Sequence, residues 1–286
     1  MENNEILKDQ IDFVALVEVN DANPNGDPLN GNRPRTSCDG LGEISDVCIK
    51  RKLRNRMIDM GLNVFVQSDC NRVDDFSSLS ERYRAMTEPG NALSKDERYA
   101  EACKIWDDVR DFGALMAFKE TASKKGDSVT LGITGAVSIR IARSVAPVEI
   151  TSMQITKSVN GEPGEKKGSD TMGMKHSVNH GVYVITGSIS PIQAQRNGMT
   201  EADAENIKKA LATLYMGDAS AARPEGSQRV INVYWFRHKG IGSAYKTHKA
   251  VNVTLKDGVT LPSSIDDYNI EVTPVEGVTL EVIEGA

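Results

Sequence analysis

The sequence has few cysteines, no long apolar run and no nucleotide-binding signature, and each absence excludes a class of protein. Cys38, Cys48, Cys70 and Cys103 form neither a CxxC pair nor a zinc-binding spacing, which indicates reduced thiols in a cytosolic protein. No window approaches the apolar length of a membrane span, and the polar N-terminal residues are unlike a signal peptide. No Gly-Lys-Ser or Gly-Lys-Thr tripeptide is present, which excludes a phosphate-binding P-loop. We therefore expect a cytoplasmic protein without membrane contact.

The charge of the chain is unevenly distributed. The net charge of −6 argues against a nucleic-acid-binding protein when it is taken alone. Between Arg33 and Arg56, however, seven Lys or Arg residues stand against three acidic ones, a balance of +4. Residues 256–286 contain one Lys and seven acidic residues, a balance of −6. The acidity therefore belongs to the C-terminal part, and the basic segment is either a solvated surface or a site for a polyanion.

Residues 21–57 join a loop rich in Asn, Gly and Pro to a short basic helix, and the candidate site is built around them. Gly26 and Gly31 permit close backbone approach and positive φ, and the prolines stiffen the path. A stiff loop that ends in Arg33 and Arg35 can place two guanidinium groups along a phosphate backbone. We expect this loop and helix to bind something polyanionic.

The same loop offers a competing interpretation as a calcium-binding module between Asp21 and Asn32. Its first residues fit the pattern that opens a calcium loop. The twelfth position is Asn32, where such loops use a bidentate Glu, and a strand rather than a helix precedes the segment. Calcium binding stays an alternative that these positions disfavour.

The basic helix has one apolar side. Ser45 and Asp46 are candidate N-caps, and Gly61 ends the helix. The apolar stripe, at helical spacing, consists of Ile49, Leu53, Met57 and Met60. The neighbouring face carries Lys50, Arg51 and Arg54, and the far side carries Lys52 and Arg56. The helix is predicted to dock by its stripe and to present three cations beside it.

The rest of the chain alternates strands and helices. Strands are predicted for residues 11–20, 129–155, 180–190 and 230–237, followed by short C-terminal strands that close the sheet. The clearest helix covers residues 198–216 and begins with a capping box of Thr200 and Asp203. His176 and His180 would lie about 13 Å apart on one face of a strand, too far to share a metal ion.

This order predicts an α+β fold for residues 1–286, with a modified ferredoxin-like core of β-α-β-β-α-β type. Residues 62–110 read as a helical insertion, in whose neighbourhood Trp106 and Phe112 are expected to be buried. Residues 155–178, rich in Gly, Ser and Lys, read as a long hairpin. The aromatic signature of an ordinary RNA-recognition motif (RRM) is absent.

Several blocks of the sequence resemble a known family. They include NPNGDPLNGNRPRT, DVRDFGALMAF, TGAVSIRIARSVAPVEIT, KHSVNHGVYVITGSISP and GDASAARPEGSQRV. Together they resemble the CRISPR-associated backbone subunit of type I Cascade, in its type I-C branch. The resemblance implies a non-catalytic protein with an RRM-like palm, a fingers-like insertion and a thumb-like hairpin. It also implies guide RNA, target DNA and head-to-tail copies of the same subunit as partners, together with the large subunit, the small subunit and the RNA-processing subunit that caps the 5′ handle.

The resemblance assigns roles to residues by position, with no cofactor, metal or catalytic group. The implied RNA contacts are Arg33, Arg35, Lys50, Arg51, Arg54, Ser220 and Arg223. The implied thumb residues are Lys157, Met172, Met174, Lys175 and His176, with the two methionines placed against bases. The alternative within the same superfamily is a metal-dependent RNA endonuclease, for which Asp39, Asp127 and Asp170 are the loop carboxylates to consider.

Overall fold

The computed structural model describes residues 4–87, 93–118, 130–156 and 172–286. In this part of the chain, fourteen strands and seven α-helices form a mixed α/β fold. The strands are β1 (Ile11–Ala22), β2 (Gly26–Asp27), β3 (Arg33–Pro34), β4 (Leu41–Ile44), β5 (Ala114–Ala117), β6 (Thr130–Ile133), β7 (Val137–Ile139), β8 (Ala142–Pro147), β9 (Ile150–Thr156), β10 (Met172–Ile189), β11 (Gln228–Arg237), β12 (Val251–Leu255), β13 (Tyr268–Val272) and β14 (Thr279–Glu284). The helices are α1 (Asp46–Asp59), α2 (Leu79–Thr87), α3 (Lys95–Ile105), α4 (Asp107–Phe112), α5 (Pro191–Asn197), α6 (Glu201–Ala212) and α7 (Ala244–Ala250). None of these helices is long and apolar enough to cross a bilayer.

An antiparallel sheet of eight strands forms the centre of the molecule. Its order is β14-β11-β1-β10-β8-β4, and β7 and β9 also pair with β10. Strand β1 is paired on both edges, because Ile11 lies opposite Ile189 of β10 and Arg237 of β11. The nine residues from Ile11 to Val19 are buried, which confirms the strand predicted for residues 11–20.

Helices α1 and α6 cover one face of this sheet. Ile49 and Leu53 of α1 and Ile207 of α6 are fully buried against Phe13 and Val17 of β1. Burying side chains of this size contributes about 1.5–3 kcal/mol each. Thr200 and Asp203 form the predicted capping box at the start of α6, and the helix itself is shorter than the predicted 198–216.

The opposite face of the sheet is covered by C-terminal elements. Val14, Leu16 and Phe236 from the sheet are buried together with Val251 of β12. We expected the C-terminal strands to close the main sheet, and this is correct only for β14. Strands β12 and β13 form a separate two-stranded sheet, because the second apolar face of β1 and β11 has to be covered as well.

The segment between α1 and β7 has a core of its own. Phe65, Trp106, Met116 and Leu131 are buried together, so helices α2–α4 and the β5–β6 hairpin pack as a unit. This unit continues to Ile133, beyond the predicted boundary at residue 110. Trp106 is buried as expected, whereas Phe112 is partly buried and packs against the main core.

Strand β9 and the first part of β10 form an exposed two-stranded arm. The pairing runs from Ile150 opposite Val178 to Thr156 opposite Met172. The hairpin predicted for residues 155–178 overlaps this arm at residues 155–156 and 172–178, and residues 157–171 lie outside the described part of the chain. Lys157, which the resemblance assigns to the thumb, lies outside the described residues.

Candidate nucleic-acid interface

Internal hydrogen bonds hold the loop that precedes α1. Asn25 Oδ1 accepts a hydrogen bond from the Ser45 amide at 2.9 Å, so the loop is fixed to the start of the helix. Asn23 Nδ2 donates to the Asn32 carbonyl at 2.7 Å. Gly26 packs so closely against the Asn32 side chain that a Cβ at this position would clash. The loop is therefore a fixed surface rather than a flexible connection.

Several of the residues considered as calcium ligands have other partners. Asp27 accepts from the Leu29 amide at 3.2 Å, and its carboxylate lies 3.3 Å from Arg35 Nη2. The Asn32 carbonyl and the Asn25 side chain are used in the bonds just described. Within the described ranges, no group of three or more His, Cys, Asp or Glu residues is placed to hold a metal ion.

Arg33 connects the loop to the base of the exposed arm. Its Nη1 donates to Ser152 Oγ on β9 at 2.7 Å, and the same oxygen lies 2.9 Å from His176 Nδ1 on β10. The structure therefore brings together Arg33 and His176, which the sequence assigned to two separate parts of the site. Ser152 is the connecting residue that sequence reasoning missed, and no pattern around it marks it.

The outer side of α1 carries two of the predicted cations. Arg51 is exposed, donates to Asn55 Oδ1 at 3.3 Å and lies 3.9 Å from the Cys70 sulfur. Lys50 is partly buried and pairs with Asp46, one turn earlier, at 3.1 Å. Both pairs lie close to the surface, where salt and solvent screen them, so these cations can exchange their partners for a phosphate.

Arg54 was predicted to share a face of α1 with Lys50 and Arg51, but its environment differs from theirs. Its Nε donates at 2.7 Å to Asp108, whose side chain is fully buried, and its guanidinium lies 5.0 Å from the Phe112 ring centre. The other Asp108 contacts are the Phe65 amide at 2.6 Å and the Val66 amide at 3.2 Å. Arg54 therefore joins α1 to the insertion, and the structure gives it a position inside the protein.

Lys52 is also buried, although the wheel placed it on the far side of the helix. Its ammonium contacts the Asp218 carboxylate and lies 5.2 Å from the Tyr215 ring centre. Burial lowers the pKa of Lys52, and the neighbouring Asp218 carboxylate opposes this by favouring the charged form. Asp218 was not predicted, because nothing in its local sequence indicates a partner on α1.

Ser220 and Arg223 lie on the loop after α6, close to the loop before α1. The two residues exchange backbone hydrogen bonds of 2.8 and 3.0 Å, and the intervening Ala222 carbonyl accepts from the Asn23 amide at 2.9 Å. Arg223 Nε lies 3.3 Å from Asp218 Oδ2. The Arg223 loop is thus an immediate neighbour of the loop that ends in Arg33 and Arg35.

The arm exposes apolar side chains on both of its faces. Met172 and Met174 alternate with Gly173 and Lys175 along β10, so the two methionines share one face, with His176. Met153 and Ile155 lie on the opposite face, because they pair with Lys175 and Gly173. All four apolar side chains are about half exposed. The two methionines of β10 were predicted from the sequence to contact bases, whereas Met153 and Ile155 of β9 were not predicted.

Asp39 is the described member of the three carboxylates considered for catalysis. It is exposed and accepts a hydrogen bond from the Ser37 hydroxyl, which lowers its pKa. A lowered pKa favours a carboxylate that stays ionised rather than one that exchanges protons near neutral pH. Asp127 and Asp170 lie outside the described residues.

Comparison with known structures defines the class of fold. The chain resembles one chain of a solved "CRISPR RNA-guided surveillance complex, pre-nicking", with a TM-score of 0.50 and 14% sequence identity. The similarity covers 87% of this chain and 82% of the other. At this level of identity it concerns the fold alone.

The family of the chain follows from its sequence. The family model of CRISPR-associated protein Cas7 matches residues 9–273, and the chain therefore belongs to the Cas7 family. A CRISPR-associated protein Cas7 from Haloferax volcanii is 26% identical in an alignment of 209 residues, and the match covers 68% of this chain and 61% of that protein. The chain thus matches less than two thirds of this relative's length. The resemblance to a CRISPR-associated subunit is confirmed, and the type I-C branch stays a prediction.

Proposed function

We propose that this protein is a non-catalytic backbone subunit of a type I-C Cascade-like surveillance complex. Several copies stack head to tail along the guide RNA, hold its phosphates and present its bases for pairing with target DNA. The large, small and RNA-processing subunits are its further partners. Membership of the Cas7 family and the fold shared with a chain of an RNA-guided surveillance complex support this proposal.

The contact between Arg33 and the base of the arm is the observation that carries the proposal. Arg33 and His176 meet at Ser152, so the basic loop and the arm form one continuous surface. Arg51 lies on the helix that this loop is hydrogen-bonded to. A strand of RNA that follows this surface would meet cations first and the apolar arm next.

Holding a guide RNA requires contacts that do not depend on base sequence, because the spacer differs from guide to guide. Arginine and lysine side chains provide such contacts with phosphates. An aromatic platform for stacking bases is not offered by the main sheet, since both faces of its centre are buried. We infer that RNA lies along the loop, α1 and the arm instead.

The core underneath this surface fits the predicted modified ferredoxin-like fold. The central strands have the order β11-β1-β10-β8, and α1 and α6 lie on the same face. We interpret β1, α1, β8, β10, α6 and β11 as the six elements of the β-α-β-β-α-β core. In this interpretation the insertion corresponds to the fingers and the arm to the thumb.

The arm would act on bases rather than on phosphates. Met172 and Met174 present flexible, polarisable side chains that adapt to stacked surfaces. We propose that they pack against a base that the arm displaces from the guide, with Lys175 on the opposite face of the strand. Head-to-tail stacking of copies is heterologous, and a heterologous contact that does not close on itself produces a helical filament.

RNA binding by the Arg33→Ala/Arg51→Ala variant tests the proposal. Binding to two unrelated RNAs of equal length is measured by fluorescence anisotropy between low and moderate salt. The slope of log K against log salt should fall by about 0.7 for each lost phosphate contact, equally for both RNAs. Lys256→Ala, which removes an exposed cation directly after β12, is the matched control and should leave the slope unchanged. Loss of binding to only one of the RNAs contradicts backbone recognition.

The alternative of an RNA endonuclease predicts a different outcome. Labelled RNA incubated with the protein and Mg²⁺ is expected to stay intact. Cleavage that disappears in Asp39→Ala would replace the non-catalytic proposal with the enzymatic one. For the calcium alternative, titration calorimetry should show no binding of Ca²⁺ at micromolar concentrations.

A further inference from the structure

Three charged side chains meet beneath the candidate interface, and two cations share one carboxylate. Lys52 Nζ of α1 and Arg223 Nε of the loop after α6 both contact the same oxygen of Asp218, the latter at 3.3 Å. The exposed fractions of the side chains are 4% for Lys52, 14% for Asp218 and 30% for Arg223. Exposure increases from the helix towards the loop surface.

The geometry leaves the surplus positive charge on Arg223. Lys52 and Asp218 neutralise each other inside the protein, and Lys52 is too buried to contact a ligand. Arg223 Nε is itself buried and makes no hydrogen bond with any described residue, so the exposed 30% of the Arg223 side chain is the part that can meet an anion. A guanidinium whose nearest carboxylate is already paired keeps donors and charge for an external anion.

We propose that Lys52 is a positioning residue that pairs with Asp218 and thereby leaves Arg223 available to bind a phosphate of RNA. The inference rests on the proposed function and adds a buried residue to it. Its location supports it, because the Ala222 carbonyl beside Arg223 bonds to the Asn23 amide of the basic loop at 2.9 Å. Without Lys52, Asp218 would have Arg223, which it already contacts at 3.3 Å, as its one cationic partner in the cluster and would cancel its charge.

Two single variants separate this electrostatic role from a structural one. Lys52→Met removes the charge and keeps the approximate length of the side chain, so the Asp218 charge is balanced by Arg223 alone. The salt slope of RNA binding should then fall by about 0.7, as it should in Arg223→Ala. Asp218→Asn disturbs the same buried contact but frees both cations, so the slope should stay at the wild-type value or increase. A purely structural role predicts that both variants bind RNA more weakly.

A double variant completes the test. Lys52→Met/Asp218→Asn removes the inner pair and leaves Arg223 charged, so the slope should return to the wild-type value. Thermal unfolding of each variant sets a temperature at which all of them are folded, and binding is measured below it.

The possible failures are distinguishable. Weaker binding by Asp218→Asn, or absence of rescue in Lys52→Met/Asp218→Asn, overturns the role of Lys52. An unchanged slope in Arg223→Ala also overturns it, while a reduced slope in Arg33→Ala would still support the proposed function. If wild-type protein binds neither RNA in a salt-dependent manner, the proposed function fails, and this inference fails with it.

Discussion

The inward and outward sides of α1 carry the same kinds of side chain in different settings. Lys50 and Arg51 point outward, where each has a polar partner about one turn away on the same helix, Asp46 for Lys50 and Asn55 for Arg51. Lys52 and Arg54 point inward, where they pair with Asp218 and Asp108 from distant parts of the chain. A buried charge requires a dedicated partner, whereas a surface charge does not. A basic helix therefore contributes to architecture and to binding through different members of one cluster.

Removing an inward cation should have the largest effect. Arg54→Ala leaves the Asp108 carboxylate buried without its charged partner, and breaking a buried pair in this way costs about 3–5 kcal/mol. Urea unfolding followed by circular dichroism measures the loss.

Arg51→Ala is the matched control for Arg54, because it removes an exposed arginine three residues earlier. Its free energy of unfolding should stay within about 0.5 kcal/mol of the wild type. Equal losses of unfolding free energy in Arg54→Ala and Arg51→Ala would contradict the difference between the two sides of α1.

Asp111 is a buried carboxylate with one oxygen, Oδ1, that has no hydrogen-bond partner among the described residues, and its effect on stability should depend on pH. Asp111 is 1% exposed, and burial, followed by repulsion from Asp203, raises its pKa well above the usual value. Because the pKa of Asp111 is higher in the folded than in the unfolded state, the contribution of this residue to stability is fully present below about pH 4. That contribution is lost as pH rises through the folded-state pKa. The melting temperature of Asp111→Asn relative to wild type should therefore increase as pH rises from about 4 to neutrality.

Asp12 provides the opposite case for comparison. Burial alone would raise its pKa, but hydrogen bonds from Ser188, Gln10, Thr247 and His238 lower it below the usual value. Its contribution is present above the unfolded pKa and is lost as pH falls through the folded-state pKa. Asp12→Asn should thus be less stable than wild type at neutral pH, with a difference that shrinks in acid. The same trend in both variants would contradict this assignment.

The smallest effect on stability is expected on the outward side. Lys50→Ala removes a pair with Asp46 at i, i+4, which is worth about 0.3–0.5 kcal/mol. RNA binding should change more visibly, with a salt slope lower by about 0.7. A loss of several kcal/mol would show that Lys50 belongs with the inward group.

Local patterns in the sequence were sufficient for the elements with strong periodicity or capping. The continuous apolar run predicted β1, and Thr200 with Asp203 predicted the start of α6. The same patterns do not indicate which sheet a short strand joins. Strands β12 and β13 look like β14 in sequence, and they differ because they pack on the second face of the main sheet.

The residue types of the candidate site could be predicted from the sequence, whereas the contacts between them could not. Loop and helix cations are visible in the sequence, but the Arg33–Ser152 contact joins residues 119 positions apart. The burial of Lys52 depends on Asp218, which follows it by 166 positions. Helical periodicity assigns a face to a residue, and only tertiary structure assigns a partner.

The position of β1 in the sheet has a consequence for how the chain folds during synthesis. This strand is made early, yet its two partners, β10 and β11, follow it by about 160 to 220 positions. Contacts of such sequence separation slow folding, because long loops have to close before they form. The apolar β1 has no partner strand until β10, which ends at Ile189, has left the ribosome, and its second edge stays open until Arg237 of β11 follows. An unpaired apolar strand of this kind is prone to aggregation during folding.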